Sequence, residues 1–494
     1  MQKVFCYRKT LCSWGVSLNL REFLRSDQVA PIEVSGLSEV SSEIKKGDAF
    51  IGVGAPPQVY EHISEAEKRG AACILLPEGS LYKAELSGEI PRFNVPNLHS
   101  SRGELASRFF GDPSANLDCT GVTGTNGKTS IAFLVADISD KLGQKAGYCG
   151  TLGWGSVGEL RPTKLTTPDP VTFQKRLSKL SLDGCLRVAV ELSSHALEQG
   201  RARGASFKTG VFSNLTREHL DYHVDMESYA RSKARLFEEY SLVNAVICVD
   251  DEFGRRLVKS EIPNILTYGA NGEISWKLKP QSIGYSVAWS TPWGHLTTDV
   301  PYFCEFSVSN LAAAIGVLLL SGVELSELPP ALENLTTIPG RVEKIDAGGW
   351  RSPTVIVDFG HTPSAIERVL KDLAKRCSGK LICVLGCGGD RDRGKRPIMG
   401  LIAGKLSDAV WLTSDNPRSE CPQSIIDEIK QGFDQDNFFE TVDREEAIRG
   451  AIRSAAKDDI IVVLGKGNEV TQEIKGALYP FNDKEVAGRI LGGK

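Results

Sequence analysis

Apolar positions along the chain gather into short runs rich in β-branched residues, and these runs alternate with stretches of helical spacing. Near the N-terminus, Asp48-Ala-Phe-Ile-Gly-Val and Ala72-Cys-Ile-Leu-Leu-Pro read as strands separated by helical or turn-like segments, so a small α/β module is predicted there. The turn Gly111-Asp112-Pro113 closes it. Leu117-Asp-Cys-Thr-Gly-Val then has the pattern of a buried strand. A glycine-rich loop follows, and Ile131, Leu134, Val135, Ile138 and Leu142 recur at helical spacing behind it. Beyond Pro339-Gly340-Arg341 the strand-like runs Thr354 to Asp358, Lys380 to Leu385, Ala409 to Thr413 and Ile460 to Leu464 are separated by helical patterns. Strands alternating with helices predict a parallel sheet covered on both faces, and such sheets collect ligands beyond the carboxyl ends of their strands. The expectation is an α/β chain of three domains, 1–112, 113–338 and 339–494.

Composition narrows the class. A chain of 494 residues exceeds one ordinary core, and 41% hydrophobic with 24% charged residues excludes a disordered or fibrous protein. The balance of 58 basic against 62 acidic residues gives no overall attraction to nucleic acid or to an acidic membrane surface. The longest apolar run, Leu311 to Val323, is shorter than the ~20 residues a membrane helix needs and is expected to be a buried helix. Twelve cysteines occur without a CxxC pair, which fits a reducing cytoplasm. The N-terminal stretch through Lys3, Arg8 and Arg21 lacks the unbroken apolar core of a secretion signal.

Chemistry concentrates in the loop between the predicted strand and helix. Gly121-Val-Thr-Gly-Thr-Asn-Gly-Lys128-Thr129 places glycines where backbone amides can approach phosphate, at a helix N-terminus that favours negative charge. Lys128 would neutralise β- and γ-phosphates and Thr129 would offer its hydroxyl to Mg²⁺. Val122 occupies the first glycine position of the strict phosphate-loop pattern. Glu191 ends the apolar strand Arg187-Val-Ala-Val-Glu, where a carboxylate can hold a hard cation or serve only as a cap. Read alone, a histidine such as His219 is more often structural than a ligand. Lys233 belongs to a basic amphipathic helix whose lysines would ordinarily be solvated, and Asp415-Asn416-Pro417-Arg418 reads as a polar turn at a strand's carboxyl end.

The loop resembles the nucleotide loop of the Mur ligases and of their folylpolyglutamate synthase relatives. Further motifs follow in that family's order: Thr166-Thr167-Pro168, Glu191-Leu-Ser-Ser-His195, Asn214-Leu-Thr-Arg-Glu-His219-Leu-Asp221, Ser228-Tyr-Ala-Arg-Ser-Lys233, Pro339-Gly-Arg341, Asp358-Phe-Gly-His361 and Gly386-Cys-Gly-Gly-Asp-Arg391. The resemblance covers roughly residues 117–485 and is weaker before that. It implies an N-terminal uridine-nucleotide domain, a central ATP-binding domain and a Rossmann-like C-terminal domain.

The resemblance also implies roles. ATP would lie on Gly124, Thr125, Asn126, Gly127, Lys128, Thr129 and Ser130, with Asn310 and Arg341; Asp358 and His361 match positions near adenosine or the domain junction. Thr129, Glu191, His219 and Lys233 would hold Mg²⁺, with Lys233 as an N6-carboxylysine. Lys128, Lys233 and His219 are the expected catalytic residues. Ser41, Thr166, Thr167, Ser193, Gln199 and Arg201 would hold a UDP-N-acetylmuramoyl dipeptide. Arg391, Asp415, Asn416, Pro417, Arg418, Gly465 and Glu469 would hold meso-diaminopimelate, Arg418 gripping the distal carboxylate that lysine lacks and Glu469 accepting the distal ammonium. The chain departs from the family pattern at Glu218 (usually Asp), Leu165 (Asn), Phe359-Gly360 (Tyr-Ala), Asn468 (His) and Val40-Ser41-Ser42 (Asp-Ser-Arg). The expected activity is ATP-dependent ligation through an acyl phosphate, by a cytoplasmic monomer that binds neither nucleic acid nor membrane. A lysine-adding or folylpolyglutamate-synthase-like ligase is the neighbouring alternative, and a phosphate-loop ATPase switch is the alternative of another class.

Overall fold

The computed structural model describes residues 17–25, 29–79, 90–281, 284–346 and 352–492; Lys3 and Arg8 lie outside the described residues. These residues form two compact units, the first from Met1–Thr123, Gly143–Gly210 and Arg235–Asn244, the second from Gly124–Leu142, Val211–Ala234 and Ala245–Lys494.

In the first unit, strands Gly36–Ser38, Asp48–Ile51, Cys73–Pro77 and Arg92–Val95 pair in parallel in chain order. Alternation along them explains both faces: Ala49, Ile51, Cys73 and Leu75 pack with Leu105, Ala106 and Phe109 of helix Leu98–Phe109, while Phe50, Ile74 and Leu76 pack with Val59 and Ile63 of helix Gln58–Lys68. The strand at Asp48 stops at Ile51, two residues short of its apolar run, because Gly54 takes φ +143° and two prolines follow. A second parallel group sets Arg187–Glu191 between Asp118–Thr123 and Ala146–Gly150, with Gly153–Gly155 antiparallel on the outer side. Helix Pro170–Leu182 packs against Leu98–Phe109.

In the second unit, helix Lys128–Lys141 is buried through Ile131, Leu134, Val135 and Ile138 and packs on helix Glu305–Leu320, the element expected from the alanine-rich apolar run. The C-terminal sheet has the order Glu343–Lys344, Thr354–Asp358, Ile460–Leu464, Leu381–Leu385, Ala409–Leu412, Phe438–Glu440, parallel except at the first pair. Ile356, Cys383, Leu385, Val462 and Leu464 face helices Pro363–Ala374, Lys395–Leu406 and Pro422–Lys430, whereas Val355, Val357, Ile382, Val384 and Val463 face helices Arg444–Ser454 and Asp483–Leu491. Each such side chain contributes roughly 1.5–3 kcal/mol on burial. The four expected strands are all present, within one residue at each end, and the two outer ones extend the sheet. Two further elements were not anticipated: an antiparallel sheet of Ser275–Pro280, Tyr285–Thr291 and Gly294–Val300, and the hairpin Thr471–Ile474 with Ala477–Pro480. The chain is thus a mixed α/β protein built on parallel sheets.

Candidate active site

Gly124 and Gly127 adopt φ of +140° and +91°, conformations that exclude a Cβ without strain. A Cβ on Gly127 would also lie 2.5 Å from Oδ1 of Asn310, so two residues expected at the nucleotide meet across this turn. Gly127 opens helix Lys128–Lys141, and the amides of Lys128, Thr129 and Ser130 form its first turn, where the helix end carries partial positive charge. The loop is held from outside itself: Asn126 N donates to Asn214 Oδ1 (3.0 Å), Asn214 Nδ2 and Ser213 Oγ donate to the Asn126 carbonyl, and Thr125 Oγ1 exchanges bonds with the Thr216 backbone. Asn126 Nδ2 donates to Ser364 Oγ, and Arg341 Nη2 donates to Thr129 Oγ1 (3.0 Å) while its guanidinium lies over the Phe359 ring. Phe359, in place of tyrosine, therefore retains a stacking face.

Lys128 and Lys233 converge on this loop. Lys128 Nζ donates to the carbonyls of Gly124 and Thr125, and Lys233 Nζ donates to Gly124 at 2.7 Å. Lys233 is not a solvated lysine: it is 1% exposed and lies over the Tyr229 ring. Burial, and then the charge of Lys128, push its pKa well below the usual lysine value, against the opposite pull of Glu218. Burial alone would raise the Glu218 pKa, but the hydrogen bond from His361 and the charges of His361, His219 and Lys128 outweigh it and hold the carboxyl below its ordinary range. His361 presents Nε2 to Glu218 (2.8 Å) and Nδ1 to the Phe359 carbonyl (2.9 Å), so both ring nitrogens face acceptors. His219 takes φ +56° at the start of a short helical turn, with its ring edge on Tyr229.

The first unit holds the other expected group. Glu191, 1% exposed, accepts from Tyr148 OH, from Thr151 N (2.8 Å) and from Thr151 Oγ1 (3.2 Å). A Cβ on Gly150 would strike this carboxylate. Thr167 Oγ1 donates to the Glu191 carbonyl and accepts from Ser193 N, Thr166 Oγ1 lies 3.1 Å from Thr151 Oγ1, and Arg201 donates to the Thr167 carbonyl and twice to Gln199 Oε1. Thr166, Thr167, Ser193, Gln199 and Arg201 therefore form one cluster around Glu191. Ser41 is engaged elsewhere, with Glu65 Oε2 (2.6 Å) and His62 Nδ1 (3.1 Å). Two residues before it, Glu39 accepts from Val171 N and pairs with Arg102, tying the N-terminal sheet to the helix that follows Thr167. Burial, then the neighbouring Asp169, raise the Glu39 pKa to about 8. No local motif marks Glu39, because its partners Arg102 and Val171 lie far along the chain.

At the carboxyl ends of the C-terminal strands, Asp415–Arg418 forms a turn facing Gly388, Gly389 and Gly465. Arg418 Nη1 donates to the Gly389 carbonyl (2.7 Å), and Nε lies 3.2 Å from Glu473 Oε2. Asn416 Nδ2 donates to Glu469 Oε2, and its Oδ1 accepts from Glu473 N and Lys466 Nζ. Lys466, 0% exposed, spends its three N–H groups on Asn416 Oδ1, Glu469 Oε2 and the Thr471 carbonyl. Behind the turn, fully buried Arg444 grips Asp483 through two 2.7 Å bonds and donates to the carbonyls of Ser414 and Leu464. Arg391 is exposed on the neighbouring loop and donates to the Asp390 carbonyl. The structure thus joins Asp415, Asn416, Pro417, Arg418, Gly465 and Glu469, and adds Lys466, Glu473 and Arg444. The Gly-Lys-Gly spacing could have drawn attention to Lys466; Arg444 had no local signal, because its partner lies 39 residues away.

Among the described residues, no three His, Cys, Asp or Glu side chains gather into an all-protein metal cage, the ten described cysteines are free, and no helix is long and apolar enough to cross a membrane.

Known proteins give independent bearings. The Mur ligase middle domain family matches residues 122–318, and the family described as Mur ligase, glutamate ligase domain, matches residues 340–467. A UDP-N-acetylmuramoyl-L-alanyl-D-glutamate–2,6-diaminopimelate ligase of Coxiella burnetii is 40% identical over 475 residues, covering 94% of this chain and 96% of its own. The enzyme of that name from Pseudomonas aeruginosa is 42% identical, covering 91% and 93%. A solved structure of a ligase of the same name superposes with a TM-score of 0.67 at 33% identity, covering 97% of this chain and 99% of that one. A Mycobacterium tuberculosis folylpolyglutamate synthase, at 16% identity and a TM-score of 0.63 over 80% and 95% of the two chains, shares the fold. With its phosphate loop, buried lysine and strand-end motifs in the family's order, the chain belongs to the Mur ligase family of ATP-dependent amide ligases.

Proposed function

We propose that this ligase adds meso-diaminopimelate to UDP-N-acetylmuramoyl-L-alanyl-D-glutamate, a step in peptidoglycan precursor synthesis, with residues 1–112, 113–338 and 339–494 as its uridine-nucleotide, ATP-binding and amino-acid-binding domains. One observation carries the choice of acceptor: the Asp415–Arg418 turn sits at a strand's carboxyl end with a guanidinium fixed in place by the Gly389 carbonyl. A fixed guanidinium rewards the distal carboxylate of diaminopimelate and repels the lone ammonium of lysine. The names of the relatives support the same acceptor.

The γ-phosphoryl of ATP passes to the γ-carboxylate of D-glutamate, and the acceptor's amine then attacks the acyl phosphate, releasing phosphate. No enzyme nucleophile is needed, so this chain's contribution is positioning and charge stabilisation. The loop amides and Lys128 hold the nucleotide phosphates. Arg341 and Asn310 hold the nucleoside side of the loop, and Thr166, Thr167, Ser193, Gln199, Arg201 and Ser41 hold the nucleotide dipeptide. Arg391, Asp415, Asn416, Pro417, Arg418 and Gly465 receive the acceptor, and Glu469 fixes Asn416. Thr129, Glu191, His219 and Lys233 are the residues that would hold Mg²⁺: the Glu191 carboxylate is oriented by three donors, and burial lowers the pKa of the Lys233 amine, the direction that favours its reaction with carbon dioxide to give a carbamate. When bound, the cation neutralises phosphate charge. The enzyme acts as a cytoplasmic monomer.

The test is phosphate release. It should require ATP, the nucleotide dipeptide and diaminopimelate together; release at the same rate without either acceptor or dipeptide would contradict the ligase reading.

A further inference from the structure

Ser41 and Thr167 both belong to the set assigned to the nucleotide dipeptide, yet they lie on different segments, one after strand Gly36–Ser38 and one before helix Pro170–Leu182. Two residues from each stands a carboxyl: Glu39 precedes Ser41, and Asp169 follows Thr167. These two carboxyls meet. Glu39, 7% exposed at its side chain, accepts from Val171 N (3.3 Å) in the first turn of the helix, and its Oε2 lies 3.3 Å from Nε of Arg102 on helix Leu98–Phe109. Asp169 caps the same turn, its Oδ1 accepting from Thr172 N (2.8 Å). Two carboxylates in contact repel, and the guanidinium balances only one of them, so the arrangement is satisfied when one proton lies between the pair. Burial and then Asp169 place that proton on Glu39, raising its pKa to about 8 against the pull of Arg102, and its O–H donates to Asp169. Other charges stand around the pair: Arg176 of the same helix acts on Asp169 and Glu43, Lys175 lies 3.7 Å from Glu43, and His62 and Glu65 engage Ser41. The support behind Arg102 is firm. A Cβ on Gly103 would strike the Arg203 carbonyl and one on Gly204 the Gly103 carbonyl, so this helix meets the segment after Arg201 backbone to backbone.

We propose that Glu39 is a positioning residue for the nucleotide dipeptide: a proton shared between its carboxyl and that of Asp169 clamps the Ser41 segment to the Thr167 segment, and the clamp opens when that proton leaves. This rests on the assignment of Ser41, Thr166, Thr167, Ser193, Gln199 and Arg201 to the nucleotide dipeptide. Because folding raises the Glu39 pKa, the clamp is closed below about pH 8 and is lost as pH rises through it. Without the proton, two negative charges face the single charge of Arg102, and Glu39 is pushed away from the cap of the helix. Ser41 then loses its register with Thr167, so a ligand that touches both binds more weakly at alkaline pH. The phosphate loop is held by other contacts, those of Asn214 and Thr216, and lies outside the clamp.

The experiment measures binding of UDP-N-acetylmuramoyl-L-alanyl-D-glutamate to the full chain by calorimetry at about pH 7 and about pH 9.5, for wild type, Glu39→Gln and Glu39→Ala, with ATP binding as the reference. Wild type should lose on the order of tenfold in affinity for the nucleotide dipeptide between these limits. Glu39→Gln cannot ionise, yet it keeps a donor toward Asp169 and an acceptor toward Val171 N. It should bind within about twofold of wild type at the lower pH and hold that affinity at the higher one. Glu39→Ala removes the clamp and should bind about tenfold more weakly at both, with ATP affinity unchanged. An equal alkaline loss in wild type and Glu39→Gln would overturn the proposal, since the proton on Glu39 would then not matter. Unchanged dipeptide affinity in Glu39→Ala would overturn it, and so would a parallel loss of ATP affinity in that variant, the mark of general loosening. Failure of the underlying assignment is separable, since wild type would then not bind the nucleotide dipeptide, or Arg201→Ala would leave its affinity unchanged.

Discussion

Replacing Lys466 with methionine keeps the length and much of the volume of the side chain while deleting a charge that is 0% exposed and makes three hydrogen bonds. Removing one partner of a fully buried ion pair costs about 3–5 kcal/mol. The other partner here, Glu469, is 35% exposed at its side chain and keeps its bond to Asn416, so water recovers part of that cost. The Thr471 carbonyl and Asn416 Oδ1 each lose a donor, while the apolar methionine gains by burial. The net expectation is about 2–3 kcal/mol of destabilisation, read as a lower urea midpoint by circular dichroism and tryptophan fluorescence. Because Asn416 loses one of its supports, the KM for diaminopimelate should also rise, with the KM for ATP unaffected. The double variant Lys466→Met with Glu469→Gln should recover part of the stability, since no carboxylate is then left without its cation. The reasoning is refuted if Lys466→Met lies within about 0.5 kcal/mol of wild type and its KM for diaminopimelate is unchanged.

Other sites give further tests. Gly127→Ala combines a Cβ at φ +91° with a 2.5 Å approach to Asn310, so ATP affinity measured by calorimetry should fall at least about tenfold; unchanged affinity would remove the loop from the nucleotide site. Lys233→Met replaces a buried amine, whose pKa burial lowers, by an apolar isostere, so the thermal midpoint should hold or rise while ligation is lost; retained activity would free Lys233 from the chemistry. Glu39, whose pKa is raised from 4.5 to about 8, binds its proton more tightly folded than unfolded. Its contribution to stability is full below about pH 4.5 and is lost as pH rises through about 8. Glu39→Gln should therefore flatten the fall in thermal midpoint between those limits, and an unaltered pH profile would count against the buried acid.

Much of the site could be read before any coordinate. The strand, loop and helix from Asp118 to Lys141 follow from an apolar run, glycines and a 3.6-residue period, all local signals. Arg187–Glu191 and Ile460–Leu464 fall where their apolar runs place them, because strands buried on both faces are marked by unbroken hydrophobicity. The sheet from Ser275 to Val300 was missed although Tyr285, Val287 and Trp289 alternate inward, since small residues at Ser286, Ala288 and Ser290 blur the polar half of the pattern. Charge placement was the least legible. Lys233 and Arg444 both stand in helices whose basic residues ordinarily reach solvent, and both are buried by partners far along the chain: Gly124 for one and Asp483 for the other. Glu39 and Glu473 likewise acquire roles only through residues brought to them by folding.

The central claim is tested most directly by product mass. The enzyme is incubated with ATP, UDP-N-acetylmuramoyl-L-alanyl-D-glutamate and an equimolar mixture of meso-diaminopimelate and lysine. The account predicts one new species, with the mass of the diaminopimelate tripeptide nucleotide, formed with stoichiometric ADP and phosphate. A lysine adduct in equal or greater yield, or nucleotide hydrolysis without either adduct, would contradict it.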